Sequence, residues 1–171
     1  MKIVLVGYMG SGKSTIGKLL ADNLDYKFID LDAYIEHSEK MEIPQIFKSK
    51  GEIYFRKKEF EYLNEILNTK DDFVLSTGGG TPCYGENMLA ILKATPNVFY
   101  LKVSIALLIN RLIEEKEQRP LISSIPNEEL PEFIGKHLFE RSYFYSQANH
   151  QLLCDDTSQE ELVLEIEARL V

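Results

Sequence analysis

Cysteine and histidine are scarce in this chain of 171 residues, which has two of the first and three of the second. Cys83 and Cys154 form no C-x-x-C pair. His37, His137 and His150 show no ligand spacing with either, which argues against a zinc site. Two lone cysteines point to a reducing compartment and a cytoplasmic location. Basic charge is short as well: 19 Lys and Arg against 27 Asp and Glu leave a net charge of −8. That balance argues against a nucleic-acid partner, because no basic surplus exists to neutralise a phosphate backbone. Any anionic ligand must be met by a local gathering of cations. Long apolar runs are missing too. The N-terminal run is only four residues, and no segment approaches the roughly 20 needed to span a bilayer, so no membrane partner is expected. Repeats, low-complexity tracts and linkers are absent, and the length suits one domain over 1–171, expected to be a monomer.

What is present begins at once. Gly7-Tyr8-Met9-Gly10-Ser11-Gly12-Lys13-Ser14 satisfies G-x-x-x-x-G-K-[ST] at every fixed position. The β-branched run Ile3-Val4-Leu5-Val6 precedes it, and helical spacing continues from Thr15 to Ala21, so strand, glycine turn and helix follow in the order this phosphate-binding loop requires. The glycines let successive N–H groups point at an anion. The helix beginning near Lys13 presents its positive dipole end, Lys13 supplies a mobile cation, and the Ser14 hydroxyl can ligate Mg²⁺. Gly10, Ser11, Gly12, Lys13, Ser14 and Thr15 are therefore the expected cradle for a nucleoside triphosphate with Mg²⁺.

Short apolar runs alternate with helical stretches along the rest of the chain. The spacing predicts strands at 2–6, 27–30, 73–76, 97–102 and 151–154. It predicts helices at 13–24, 32–39, 43–49, 51–68, 84–94, 104–115, 127–147 and 158–170. That alternation implies an α/β fold, a five-stranded parallel sheet flanked by helices in three layers, with ligands beyond the carboxyl ends of the strands. Two regions exceed a minimal core. Residues 32–70 hold three helical patterns in series, enough for a substrate-binding insertion. Residues 112–127 carry Arg119-Pro120-Leu121, Ser123-Ser124 and Pro126 with poor periodicity, which suggests a mobile lid.

Each strand end then offers candidate chemistry. Asp30 and Asp32 follow the second strand, where alternation sends both side chains toward the ligand edge. One could hold the water shell of Mg²⁺ and the other a substrate hydroxyl, although Asp32 could equally cap the next helix. Gly51-Glu52-Ile53-Tyr54-Phe55-Arg56 opens a helix, but Lys57 and Lys58 follow, and periodicity does not single out Arg56. Ser76-Thr77-Gly78-Gly79-Gly80 follows the third strand, and three consecutive glycines suit close backbone approach to a ligand. Cys83 follows closely, with nothing to mark it as reactive. Arg111, Arg119 and Arg141 lie in or around the lid, where a kinase needs cations on the transferring group and exclusion of water.

Taken together and in order, these motifs resemble shikimate kinase over nearly the whole chain: Gly-x-x-Gly-x-Gly-Lys-Ser, Phe-x-Asp-x-Asp, Gly-Glu-x-x-Phe-Arg, Ser-Thr-Gly-Gly-Gly, Arg-Pro-Leu and Arg-x-x-x-Tyr. The resemblance implies a P-loop fold of the nucleoside monophosphate kinase type and ATP-dependent phosphorylation of the 3-hydroxyl of shikimate. It further implies that Lys13 bridges the phosphates, and that Ser14 ligates Mg²⁺ while Asp30 supports the metal through water. Asp32 would hold the shikimate hydroxyls as the candidate base, and Arg56 and Arg141 would grip the carboxylate. Gly78, Gly79 and Gly80 would line the acceptor, Arg119 would close onto the phosphates, and Arg111 would pack against the adenine. Two positions depart from the family pattern: Tyr143-Phe144 stand where Pro-Leu is common before Tyr145, and Cys154 stands where a threonine is common.

Two other readings remain at this stage. Another small-molecule kinase of the same architecture, acting on gluconate or a nucleotide, is disfavoured by the joint presence of Asp30, Asp32, Arg56 and the triple glycine. A low-turnover nucleotide-binding regulatory protein could keep the phosphate loop yet would lose the acceptor residues, all of which are present.

Overall fold

The computed structural model describes residues 1–171. Lys2–Val6 (β1), Lys27–Asp30 (β2), Phe73–Ser76 (β3), Val98–Lys102 (β4) and His150–Leu153 (β5) form one sheet in the order β2-β3-β1-β4-β5. Every pairing is parallel. Parallel neighbours require crossovers, and the helices supply them: Lys13–Leu24 (α1), Leu31–Glu39 (α2), Ile43–Leu67 (α3), Asn87–Ala94 (α4), Ile105–Glu114 (α5), Pro120–Ser123 (α6), Leu130–Tyr145 (α7) and Gln159–Glu167 (α8). The central strands carry the core. Ile3, Val4, Leu5 and Val6 of β1 and Phe73, Val74 and Leu75 of β3 are wholly buried, as strands covered on both faces must be. Helix α1 can lie close on β2 because residue 17 is glycine; a Cβ there would stand 2.7 Å from the Phe28 ring. No helix is long and apolar enough to cross a membrane.

The structure moves several element boundaries, each for a local reason. β4 begins at Val98 and not at 97, where the Asn97 backbone N–H donates to Thr95 Oγ1 at 3.1 Å; its side-chain amide holds the C-terminal residue, Nδ2 donating to the Val171 carbonyl at 3.1 Å and Oδ1 accepting from the Val171 N–H at 2.9 Å. The helix predicted from 84 begins at Asn87. Thr81–Cys83 form a short 3-10 turn containing Pro82, and Gly85 adopts φ 54° before the helix can start. The patterns at 43–49 and 51–68 are two arms of α3 that meet at Gly51, whose φ of 85° and ψ of 170° no helix accommodates. Residues 112–127 are more regular than their composition suggested. They hold the end of α5, a 3-10 turn at Lys116–Gln118 and α6, and Leu112 and Ile122 are buried.

Residues 31–67 thus contribute α2 and α3 between β2 and β3. The Glu39 carboxylate ties them, accepting from Tyr54 Oη at 2.6 Å, Tyr62 Oη at 2.7 Å and Lys50 Nζ at 3.3 Å. Lys50 lies on the first arm of α3 and the two tyrosines on the second, so one carboxylate fixes the angle at Gly51. Those hydrogen bonds hold the Glu39 carboxyl below the usual glutamate range.

Candidate active site

A cleft of about 480 Å³ opens beyond the carboxyl ends of β1, β2 and β3, where Lys13, Ser14, Asp30, Asp32, Gly79 and Arg119 line it. At its floor the chain leaves β1 through Gly7, Gly10 and Gly12. Gly12 is the N-cap of α1 in the left-handed region, φ 93°, and offers no side-chain cap. The first N–H groups of the helix therefore remain available to an anion. Lys13 is buried, and its Nζ donates to the carbonyls of Gly7 at 2.8 Å and Tyr8 at 3.1 Å. Burial pulls its pKa down to about 8, against the opposing pull of Asp32. Thr15 is exposed two positions further on. Ser11 also lines the cleft: its N–H donates to the Tyr8 carbonyl at 3.2 Å, and its hydroxyl is buried without a partner. Gly10 accepts at its carbonyl from Arg111 Nη1 at 3.0 Å, which places Arg111 at the rim with Cys154 and Thr157.

Asp30 and Asp32 do not extend from one strand. β2 ends at Asp30, which caps α2 by accepting from the Ala33 N–H at 3.2 Å, so Asp30 and not Asp32 fills the N-cap position. The other Asp30 oxygen accepts from Ser14 Oγ at 2.7 Å, and Ser76 Oγ lies 3.3 Å from the same serine. Asp32 sits in the first turn of α2. Burial, then the neighbouring carboxylates of Asp30 and Glu59, push its pKa up to about 6, while Lys13 opposes the shift. A Cβ at Gly78 would stand 2.7 Å from Asp32 Oδ1, so only glycine lets the β3 turn pass beside this carboxylate.

The arginines gather where the glycine turn continues. A Cβ at Gly80 would lie 3.1 Å from Arg56 Nη2 and 3.3 Å from Arg141 Nη2, and one at Gly79 would lie 3.5 Å from Arg141 Nη1. Two guanidinium groups from α3 and α7 thus converge on one stretch of bare backbone, next to Asp32. Arg56 is held by residues that the sequence did not single out. Glu59, buried, takes Nη1 at 2.8 Å and also accepts from Thr81 Oγ1 at 2.8 Å. The Tyr84 ring stacks on the guanidinium. Helical spacing carried the signal for Glu59, one turn past Arg56, whereas no local pattern pointed to Tyr84 or Thr81. Lys57 is exposed and Lys58 pairs with Glu61, which resolves the choice among the three basic residues.

Arg119 reaches the cleft from the turn before α6, and its Nε donates to Glu115 Oε2 at 2.9 Å. Glu115 also lines the cleft and lies four residues before it, a spacing that helical periodicity could have flagged. Cys83 is half-buried near Arg56 and Arg141, and burial raises its thiol pKa to about 11. Both cysteines are free thiols.

Comparison with known proteins gives a consistent result. The model of the shikimate kinase family matches residues 9–171. A shikimate kinase of Flavobacterium psychrophilum is 48% identical over 165 residues, covering 96% of this chain and 96% of that protein. Among solved structures, shikimate kinase from Bacteroides thetaiotaomicron superposes with a TM-score of 0.88 at 35% identity, covering 98% of this chain and 95% of that one. Shikimate kinase from Acinetobacter baumannii in complex with shikimate gives 0.86 at 32% identity, covering 97% and 90%.

Proposed function

The chain belongs to the shikimate kinase family, and from that premise we propose how its own residues divide the work of ATP-dependent phosphorylation of the shikimate 3-hydroxyl. The observation that carries this reading is the joint placement of Asp32, Arg56 and Arg141 around Gly78, Gly79 and Gly80. Shikimate is a polyhydroxylated carboxylate. Its acid needs charge-assisted, potentially bidentate donors, and its hydroxyls need an acceptor. The two arginines take the carboxylate. Asp32 orients the 3-hydroxyl and accepts its proton as the oxygen bonds to the γ-phosphorus and ADP leaves. The transfer is direct and in line, with no covalent enzyme intermediate.

On the nucleotide side, the open N-terminus of α1 and the glycine loop receive the phosphates. Lys13 bridges them as charge spreads over the transferring group, Arg119 adds a second cation, and Arg111 flanks the base. The pairing of Ser14 Oγ with Asp30 Oδ2 at 2.7 Å sets two hard oxygen donors side by side at the phosphate end, which fits Mg²⁺. No three acidic, histidine or cysteine side chains converge as a metal cage, so this pair suits a cation shared with phosphate and water: Ser14 as direct ligand, Asp30 through its hydration shell. When bound, Mg²⁺ neutralises phosphate charge. Arg119 on the segment 112–127 acts as part of a lid, and 32–70 as the acceptor-binding insertion. The protein is placed in the cytoplasm, a reading its two unpaired thiols support, and is taken to act as a monomer.

A coupled assay of ADP release with ATP and Mg²⁺ tests the whole. Strong stimulation by shikimate, with none by gluconate or nucleoside monophosphates, is the expected result. Stimulation by gluconate would overturn the acceptor assignment.

A further inference from the structure

Arg56 and Arg119 each have a carboxylate partner, Glu59 and Glu115. Arg141 has none; the chain's other ion pairs join Arg56 to Glu52, the N-terminus or a lysine to an acid, or Arg169 to Glu165. Something else must fix its guanidinium. His137, Arg141 and Tyr145 lie one turn apart on α7 and so share a face. Both outer members are fastened to the cleft. His137 Nδ1 lies 2.8 Å from the hydroxyl of Tyr8, the residue that follows Gly7 in the phosphate loop, and the two rings meet edge to face. Tyr145 donates its hydroxyl to the Gly79 carbonyl, with its ring backed by Tyr100 of β4 at 5.2 Å. Tyr8 and Tyr145 are almost fully buried, so the phenol end of each bond is shielded from water.

We propose that Tyr8 and Tyr145 are positioning residues for Arg141: they pin α7 to the phosphate loop at one end and to the glycine turn at the other, and so set where the guanidinium meets the acceptor carboxylate. This inference rests on the reading of Arg141 as a carboxylate clamp. Burial and the charge of Arg141 hold the His137 pKa down at about 4, so the ring is neutral and Nδ1 can accept from Tyr8. Burial also raises both phenol pKa values, which keeps the hydroxyl protons in place. The arrangement makes the geometry of the acceptor arginine depend on the nucleotide loop through one hydrogen bond.

The test compares steady-state constants of Tyr8→Phe, Tyr145→Phe, His137→Leu, His137→Asn and Arg141→Ala. Each phenylalanine variant keeps its ring and loses one hydrogen bond, so KM for shikimate rises about fivefold, while kcat and KM for ATP stay within twofold. His137→Leu matches Tyr8→Phe, whereas His137→Asn, whose amide can sit where Nδ1 stands, retains the wild-type KM. Adding Tyr8→Phe to Arg141→Ala produces no further rise. Unchanged shikimate KM in both tyrosine variants, alongside a raised KM in Arg141→Ala, would overturn the inference and leave the clamp standing. An unchanged KM in Arg141→Ala itself would remove the clamp and the inference together. A loss spread equally over kcat and both KM values would assign the tyrosines to general packing and overturn the positioning role.

Discussion

The guanidinium carbon of Arg56 sits 3.6 Å from the centre of the Tyr84 ring, close enough for a cation–π contact that also shields it from water. With Glu59 on its edge and Tyr84 on its face, this arginine is ordered before any ligand arrives. Arg56→Ala is expected to raise KM for shikimate about 10- to 100-fold, the loss of a charged hydrogen-bonding partner, with a smaller effect on kcat. Tyr84→Leu keeps the charge and removes the stacking, and a rise of only a few fold is expected. Initial-rate kinetics at saturating ATP distinguish the two; an unchanged KM in Arg56→Ala would show that the acceptor's acid binds elsewhere.

As the proposed acceptor of the hydroxyl proton, Asp32 should give the reaction a pH limb. Its pKa is raised to about 6, so the carboxylate needed to take the hydroxyl proton is present above that pH and lost below it. The profile of kcat/KM for shikimate should fall with unit slope below about pH 6. Asp32→Asn should lower kcat about 10²- to 10⁴-fold and abolish that limb. The stability effect has the opposite sense. The folded protein binds this proton more tightly than the unfolded chain, so ionised Asp32 is a burden above its folded pKa that vanishes below the ordinary aspartate value. Melting curves should show Asp32→Asn more stable than wild type at pH 8 by about 5–10 °C, with the difference gone near pH 3.5.

At Gly78 the added methyl of alanine would stand 2.7 Å from Asp32 Oδ1 and 2.9 Å from Thr81 Oγ1. Gly78→Ala should displace the carboxylate and lower kcat by about 10²-fold, the scale associated with a misplacement near 1 Å. ATP affinity, measured by titration calorimetry without shikimate, should be preserved. Weakened ATP binding would mean that the substitution distorts the phosphate loop as well.

Lys13 is charged, buried and satisfied only by backbone carbonyls. Lys13→Met should lower kcat by at least about 10²-fold, since a preorganised cation on the transferring phosphoryl group is lost. It should also raise Tm at pH 7. Folding depresses the pKa to about 8, so the destabilising effect of the charged form is complete below that value and disappears as pH approaches the ordinary lysine range. Thermal scans at pH 7 and pH 10.5 should show that gain shrinking.

Much of this arrangement was legible in the sequence because it depends on local rules. The phosphate loop needs glycine at positions fixed by backbone geometry, and the central strands β1, β3 and β4 announce themselves as short apolar runs. What the sequence could not supply was long-range. Nothing near Arg56 indicates that a ring 28 residues later will cover it, and nothing near Tyr8 indicates His137. The Asp30–Asp32 pair shows a subtler limit. Alternation was the right rule for a strand, but the strand ended at the first aspartate, and helix geometry took over before the second. The segment 112–127 has the composition of an irregular loop, yet buried Leu112 and Ile122 give it enough of a core to fold into short helices.

The sheet contributes backbone, hydroxyls and glycines to the cleft, whereas the groups that would recognise an organic acid stand on α2, α3 and α7. Chemical selectivity is thereby kept apart from the scaffold that makes phosphoryl transfer possible. Asp32, Arg56 and Arg141 stand on helices and not on the buried strands, which makes these three positions, with the core residues beside them left in place, a starting point for directed evolution toward other hydroxylated acids.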